Sequence, residues 1–300
     1  MDPTKFTLRR SAVSPANAIF IIDCLSERDL QTGRSRLQEL HDLLLARDPQ
    51  RFEYNKNFVH RFEARSAAQF AECFGEVIGA CELGVRPIIF IDAHGHPELG
   101  LGMPSGELVG WSTLLESFNA VIQCTQGELT VIVAACHSMS ALEHVNQQAR
   151  LPFAFYYGYS SEVQAGVVEA ETRIIYESLL GDGGAAILDA TNLQLQCFSE
   201  YEHVQESLAI YLLMASAPAT LASLLPELSR AKIRVFADGV SAEKGESLSG
   251  ARKKVNDLLN SGLMATQVVE QLMHDTHRRD RVIEDIQAYL QGDAPPPLPR

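Results

Sequence analysis

Apolar runs and polar breaks alternate along the first two thirds of the chain. Ala18 to Leu25 (AIFIIDCL) is a continuous apolar run of strand length and predicts a fully buried strand. Leu37, Leu40 and Leu44 follow at helical spacing. Phe58 to Ala64 alternates and predicts a second strand. Phe70, Phe74, Val77, Ile78 and Cys81 mark one face of a helix. Pro87 to Ala93 (PIIFIDA) is another buried strand, ending in Asp-Ala-His-Gly-His. Pro104-Ser-Gly106 reads as the turn of a small hairpin, and Trp111 to Ile122 as a helix. Leu129 to Ala135 and Phe153 to Tyr159 are further strands, and Glu169 to Leu180 is helical. A last strand fits either Leu208 to Ala215 or Ile233 to Ala237. From Ala251 to Leu290 the pattern is helical and charged, with Val268, Leu272, Ile283, Ile286 and Leu290 at the buried positions. Continuous apolar strands alternating with helices predict an α/β fold, with a mainly parallel sheet covered on both faces.

Length and charge narrow the function. Three hundred residues fit one large domain, or one domain with an appendage. A formal net charge of -13 argues against nucleic acid as the main partner, because phosphate binding needs a basic footprint. No apolar run approaches a bilayer span, and Met1 to Arg10 lacks a following signal-peptide stretch, so the expectation is a cytoplasmic protein. Six cysteines with no Cys-x-x-Cys pair fit neither a disulfide scaffold nor a zinc ribbon.

Parallel sheets place their sites at the carboxyl ends of strands, and two such ends carry reactive side chains. One is His94, followed by Gly95; the other is Cys136, preceded by Ala135. Alone, a strand-end cysteine is usually a small buried hydrophobe and a strand-end histidine a structural hydrogen-bonder. Together, on neighbouring strands, they suit a cysteine nucleophile with an imidazole that manages the proton. The Gly95 and Cys136 N–H groups would then form an oxyanion hole.

PIIFIDAHGH and LTVIVAACHSM resemble the two motif blocks of caspase-like (clan CD) cysteine peptidases, a strand ending in His-Gly and a second ending in Ala-Cys. The interval from His94 to Cys136 is close to the roughly 50 residues seen in caspases. The stretch from Gly100 to Trp111 is similar to the hairpin of CHAT-type members, and FAFYYGYSSEVQAG to the strand and loop beside their specificity pocket. The resemblance covers about residues 15 to 195, at most to 240. Where the caspase signature has Gln before Ala-Cys and Gly two places after, this chain has Ala134 and Ser138. Cys136-His-Ser138 is followed by Met139 where metacaspases carry Gly. The bacterial CHAT-type branch therefore fits better than a true caspase.

The resemblance implies a caspase-like sandwich over 12–240, with a helical extension at 241–292 and a Pro-rich tail at 293–300. It implies a cofactor-free endopeptidase with His94 and Cys136 as the catalytic dyad and a protein substrate. It also implies a separate activator or sensor, and a bacterial defence or cell-death role such as activating a gasdermin-like partner. Asp23 and Glu162 are the candidates for the specificity pocket. With no arginine around the nucleophile and Arg28 the nearest cation, the expectation is a basic or neutral residue before the scissile bond, and not aspartate.

Two rival readings stand beside this one. Asp92, His94 and His96 alternate on one strand face, with His137 at an adjacent strand end, and would suit a metal-dependent hydrolase. A catalytically idle caspase-like module binding a partner through its C-terminal helices is the other. Gly181-Asp-Gly-Gly184 follows a helix, without Lys-Ser/Thr, and reads as a turn between helices instead of a phosphate loop. Arg252-Lys-Lys254 and His277-Arg-Arg279 read as solvated helix faces, and the five remaining cysteines as core.

Overall fold

The alternation of buried runs and amphipathic stretches folds into an α/β unit spanning Ser11–Glu200. The computed structural model describes residues 8, 10–47, 58–146, 149–181, 192–216, 222–223, 233–235, 238, 247–260 and 263–292. In chain order the first unit comprises β1 (Ala18–Asp23), α1 (Thr32–Arg47), β2 (Val59–Glu63), α2 (Ala67–Glu82), β3 (Pro87–Asp92), β4 (His94–His96), β5 (Gly100–Gly102) and β6 (Leu108–Val109). It continues with α3 (Trp111–Cys124), β7 (Thr130–Ala134), a 3-10 helix (Ser138–His144), β8 (Phe155–Gly158), α4 (Ala165–Gly181) and β9 (Gln196–Ser199).

Six strands form the central sheet in the order β2-β1-β3-β7-β8-β9. The first five run parallel, and β9 closes the edge antiparallel to β8. Every residue of β1, β3, β7 and β8 is buried, which is why these strands read as unbroken apolar runs. Phe20, Ile22, Ile89, Ile91, Val131 and Val133 share a core with Phe70 and Phe74 of α2 and Leu114 and Phe118 of α3. The alternate residues of β3 face the other way. There Phe90 meets the Tyr176 ring of α4 edge-on at 6.3 Å and lies 4.8 Å under the Arg36 guanidinium of α1. A separate antiparallel sheet, β4-β5-β6, rises from the end of β3, where the hairpin was expected.

The order in which strands are added reverses between β1 and β3, β2 lying on one side of β1 and β3 on the other. That is the point where an open parallel sheet leaves a crevice outside its strand ends.

The last strand differs from both expectations. Among the described residues it is β9, while Leu208 to Ala215 lie inside α5 (Glu200–Ser216). Residues 233–235 are helical, and 236–237 lie outside the described residues. The remaining compact unit takes in Met1–Arg10 and Tyr201–Arg300. Its C-terminal part holds α6 (Leu248–Asn260), α7 (Leu263–Leu272) and α8 (Thr276–Gln291). Asp275 caps α8 by accepting the Arg278 N–H at 2.6 Å, and Gly292 ends it at φ 83°, a left-handed turn that suits glycine.

Leu272 and Ile286 are buried as expected, but Val269, Val282 and Tyr289 are buried in place of Val268, Ile283 and Leu290, one residue away in each case, and Ala265 and Met273 are buried as well. Arg278 is buried and not on a solvated face; Arg252 is exposed and holds Asp238 with two nitrogens, at 2.9 and 2.6 Å. The Pro-rich tail and residues 182–184 of the glycine run lie outside the described residues. Among the described residues no helix is long and apolar enough to cross a membrane.

Candidate active site

β3 and β7 are adjacent and parallel, with Asp92 paired to Ala134 across the ladder. Two residues beyond the carboxyl end of each strand come His94, which opens β4, and Cys136, and both line one cleft. Gly95 lies against the nucleophile strand: a Cβ there would fall 1.9 Å from the Cys136 carbonyl oxygen and 3.3 Å from the Ala135 methyl. Only glycine lets β4 approach that closely.

A cleft of about 250 Å³ opens beside the pair. Its walls come from the loop after β1 (Leu25, Asp29, Leu30), from Thr32 at the start of α1, from the ends of β3 and β7, and from Val163, Ala165 and Val168 at the entry to α4.

The backbone beyond Cys136 turns sharply. His137 is left-handed at φ 55°, an uncommon conformation for a non-glycine residue that costs about 1–2 kcal/mol. Buried Ser138 holds the turn in place. Its hydroxyl donates to the Val133 carbonyl at 3.0 Å and accepts the Tyr159 N–H at 2.9 Å, while its carbonyl accepts the Tyr156 hydroxyl at 2.7 Å. The His137 and Met139 N–H groups donate to Ser161 and Tyr159 carbonyls at 3.2 and 3.0 Å. The loop after β8 is thereby laced to the nucleophile turn. Cys136 Sγ accepts the Val163 N–H at 3.3 Å and donates to the Val163 carbonyl at 3.6 Å.

The imidazole has a partner that the sequence reading missed. Asp29 Oδ1 lies 3.2 Å from His94 Nε2. The other oxygen, Oδ2, accepts the Ser26 hydroxyl at 2.7 Å and the Ser26 N–H at 2.8 Å. The Ser26 hydroxyl, then its N–H and then His94 hold the Asp29 carboxyl below its ordinary range. The only sequence signal was a Ser-x-x-Asp turn after β1, which by itself is an ordinary loop.

Asp23 sits elsewhere than expected. It is buried at the end of β1, where Arg61 of β2 grips its Oδ2 with Nη2 at 2.6 Å and Nε at 3.0 Å, and Oδ1 accepts the Leu25 N–H. It is not among the cleft's lining residues, and neither is Glu162, which is exposed beside Val163. The acidic group that faces the cleft is Asp29.

Asp92, His94 and His96 do not converge either. Asp92 is fully buried, with Oδ1 taking Arg36 Nη2 and the Thr32 hydroxyl, each at 2.7 Å. Burial pushes its carboxyl upward, against the pull of Arg36 and Thr32. His96 is exposed, and its Nδ1 accepts the Glu98 and Leu99 N–H groups. Among the described residues no three His, Cys, Asp or Glu side chains stand where they could hold a metal ion.

All six cysteines are free thiols. Burial pushes the Cys73 and Cys81 thiols up to about 11 and about 12, and raises Cys24 further. The expectation of five core cysteines fails at Cys197, which is exposed on the edge strand, and at half-buried Cys124. No protein-family model matches this chain, and no curated protein matches it.

Proposed function

We propose that the chain is a cysteine endopeptidase of caspase-like fold, with Cys136 as nucleophile and His94 as its imidazole partner. The observation that carries this reading is that His94 and Cys136, each two residues past the end of adjacent parallel strands, line one cleft. The left-handed turn at His137, held by Ser138, adds support, because strain kept in place by such a lattice is concentrated at functional sites.

In the reaction the Cys136 thiolate attacks the substrate carbonyl. The Val163 N–H steadies the charge on sulfur before attack, and the Gly95 and Cys136 N–H groups receive the oxyanion. The C–N bond breaks as His94 protonates the leaving amine. Water then attacks the thioester and regenerates the thiol. Asp29 occupies Nε2, so the proton passes through Nδ1. A protein substrate, a separate activator and a defence role follow from the CHAT resemblance alone.

Thiol chemistry is separable from metal chemistry. Iodoacetamide should abolish peptide cleavage in step with a single adduct mapped to Cys136, and EDTA should leave cleavage intact. Loss to EDTA with the thiol unmodified would overturn the reading.

Asp29→Asn should lower kcat about 10- to 100-fold with KM little changed, since it loosens the imidazole without touching the cleft's apolar walls. An unchanged kcat in a folded variant would assign Asp29 to loop structure only.

A further inference from the structure

Beside Cys136 the cleft is walled by aliphatic and methyl-sized groups: Leu25 and Leu30 after β1, Ala134 at the end of β7, and Val163, Ala165 and Val168 leading into α4. The two polar side chains that line it besides the reacting pair are already engaged. The Thr32 hydroxyl donates to Asp92. Asp29 spends one oxygen on Ser26 and turns the other to His94. Resting on the peptidase reading, we infer that this cleft receives the side chain immediately before the scissile bond and selects a neutral aliphatic residue of the leucine or valine kind.

A charged side chain would be desolvated there without a partner. An acidic one would meet Asp29. The cations on that side are elsewhere: Arg61 is held by Asp23 and Glu63, and Arg28 is exposed and outside the cleft lining. A basic one would have to draw Asp29 off His94, loosening the imidazole the reaction depends on. An aliphatic side chain meets neither cost and fills the space against Leu30, itself 53% exposed without substrate. This narrows the expectation of a basic or neutral residue to neutral, because of the two carboxylates on which a basic preference rested, Asp23 is ion-paired outside the cleft and Glu162 is exposed and not in its lining.

Five peptidyl acyloxymethyl ketones, identical except for Leu, Val, Ala, Asp or Arg beside the ketone, would test this on the full chain. Cys136 sulfur displaces the acyloxy group as carboxylate and forms a thioether, read as a mass increment mapped to Cys136, with Cys136→Ala as the blank. Leu or Val should label at least about tenfold faster than Asp or Arg. Ala165→Glu, which adds a carboxylate to the wall, should shift the ranking toward Arg. Fastest labelling by Asp or Arg in the unaltered protein, equal rates throughout, or a ranking indifferent to Ala165→Glu would overturn the specificity and leave the peptidase reading standing. No labelling of Cys136 by any of the five would remove both.

Discussion

Cys136→Ala should cut kcat/KM for peptide cleavage by at least about 10⁴-fold while leaving the protein folded. The thiol's hydrogen bonds run only to the Val163 N–H and carbonyl, so its loss removes little that holds the turn. Ser138, Tyr156 and Tyr159 keep that turn in place without it. Cys197→Ser should change nothing, although Cys197 is more exposed, because it sits on β9 away from the cleft lining. Cys24, Cys73 and Cys81 cannot substitute, since burial keeps their thiols protonated. Circular dichroism and a peptide-library cleavage assay check the two halves of the prediction. Retained cleavage in a well-folded Cys136→Ala protein would end the cysteine-peptidase reading.

The largest stability effect should come from the ion pair beneath the site. Arg36 and Asp92 are both buried and meet at 2.7 Å, with side chains 2% and 0% exposed. Arg36 also donates to the Thr172 hydroxyl at 3.1 Å and covers the Phe90 ring, joining α1 and α4 to β3. Arg36→Met should lower stability by about 3–5 kcal/mol near neutral pH, because it strands a buried carboxylate. The double variant Arg36→Met/Asp92→Leu should recover most of that loss, since apolar side chains of similar size need no partner.

The sign with pH follows from Asp92, whose carboxyl burial already raises and which Arg36 no longer pulls down in the single variant. A carboxyl with a raised folded pKa binds its proton more tightly when folded. Stability of Arg36→Met should therefore be greatest below the unfolded value of about 3.9 and fall as pH rises toward the folded pKa. Urea midpoints of the two variants across that range check this; a double variant no more stable than the single one would refute the stranded-charge account.

The chain's own pattern determined the sheet. β1, β3, β7 and β8 are buried on both faces, so their sequences are unbroken apolar runs that no exposed segment would carry. It also placed His94 and Cys136 at strand ends, and their adjacency needed only that β3 and β7 be neighbours. β9 was illegible because it is a four-residue edge strand with two exposed positions, QCFS, and carries no run long enough to register. Leu208 to Ala215 is apolar enough for a strand; only the 17-residue span of α5 shows it to be helix. The roles of Asp23 and Asp29 were decided by partners distant in sequence. Arg61 sits opposite Ile21 on the parallel neighbour strand, two positions before Glu63, the partner of Asp23, and reaches Asp23 from there. His94 reaches Asp29 because the loop after β1 lines the same cleft, at the point where the strand order reverses. Apolar periodicity is a local property of a segment, whereas the neighbour of a carboxylate is fixed by register and loop path. Those exist only once the sheet has assembled.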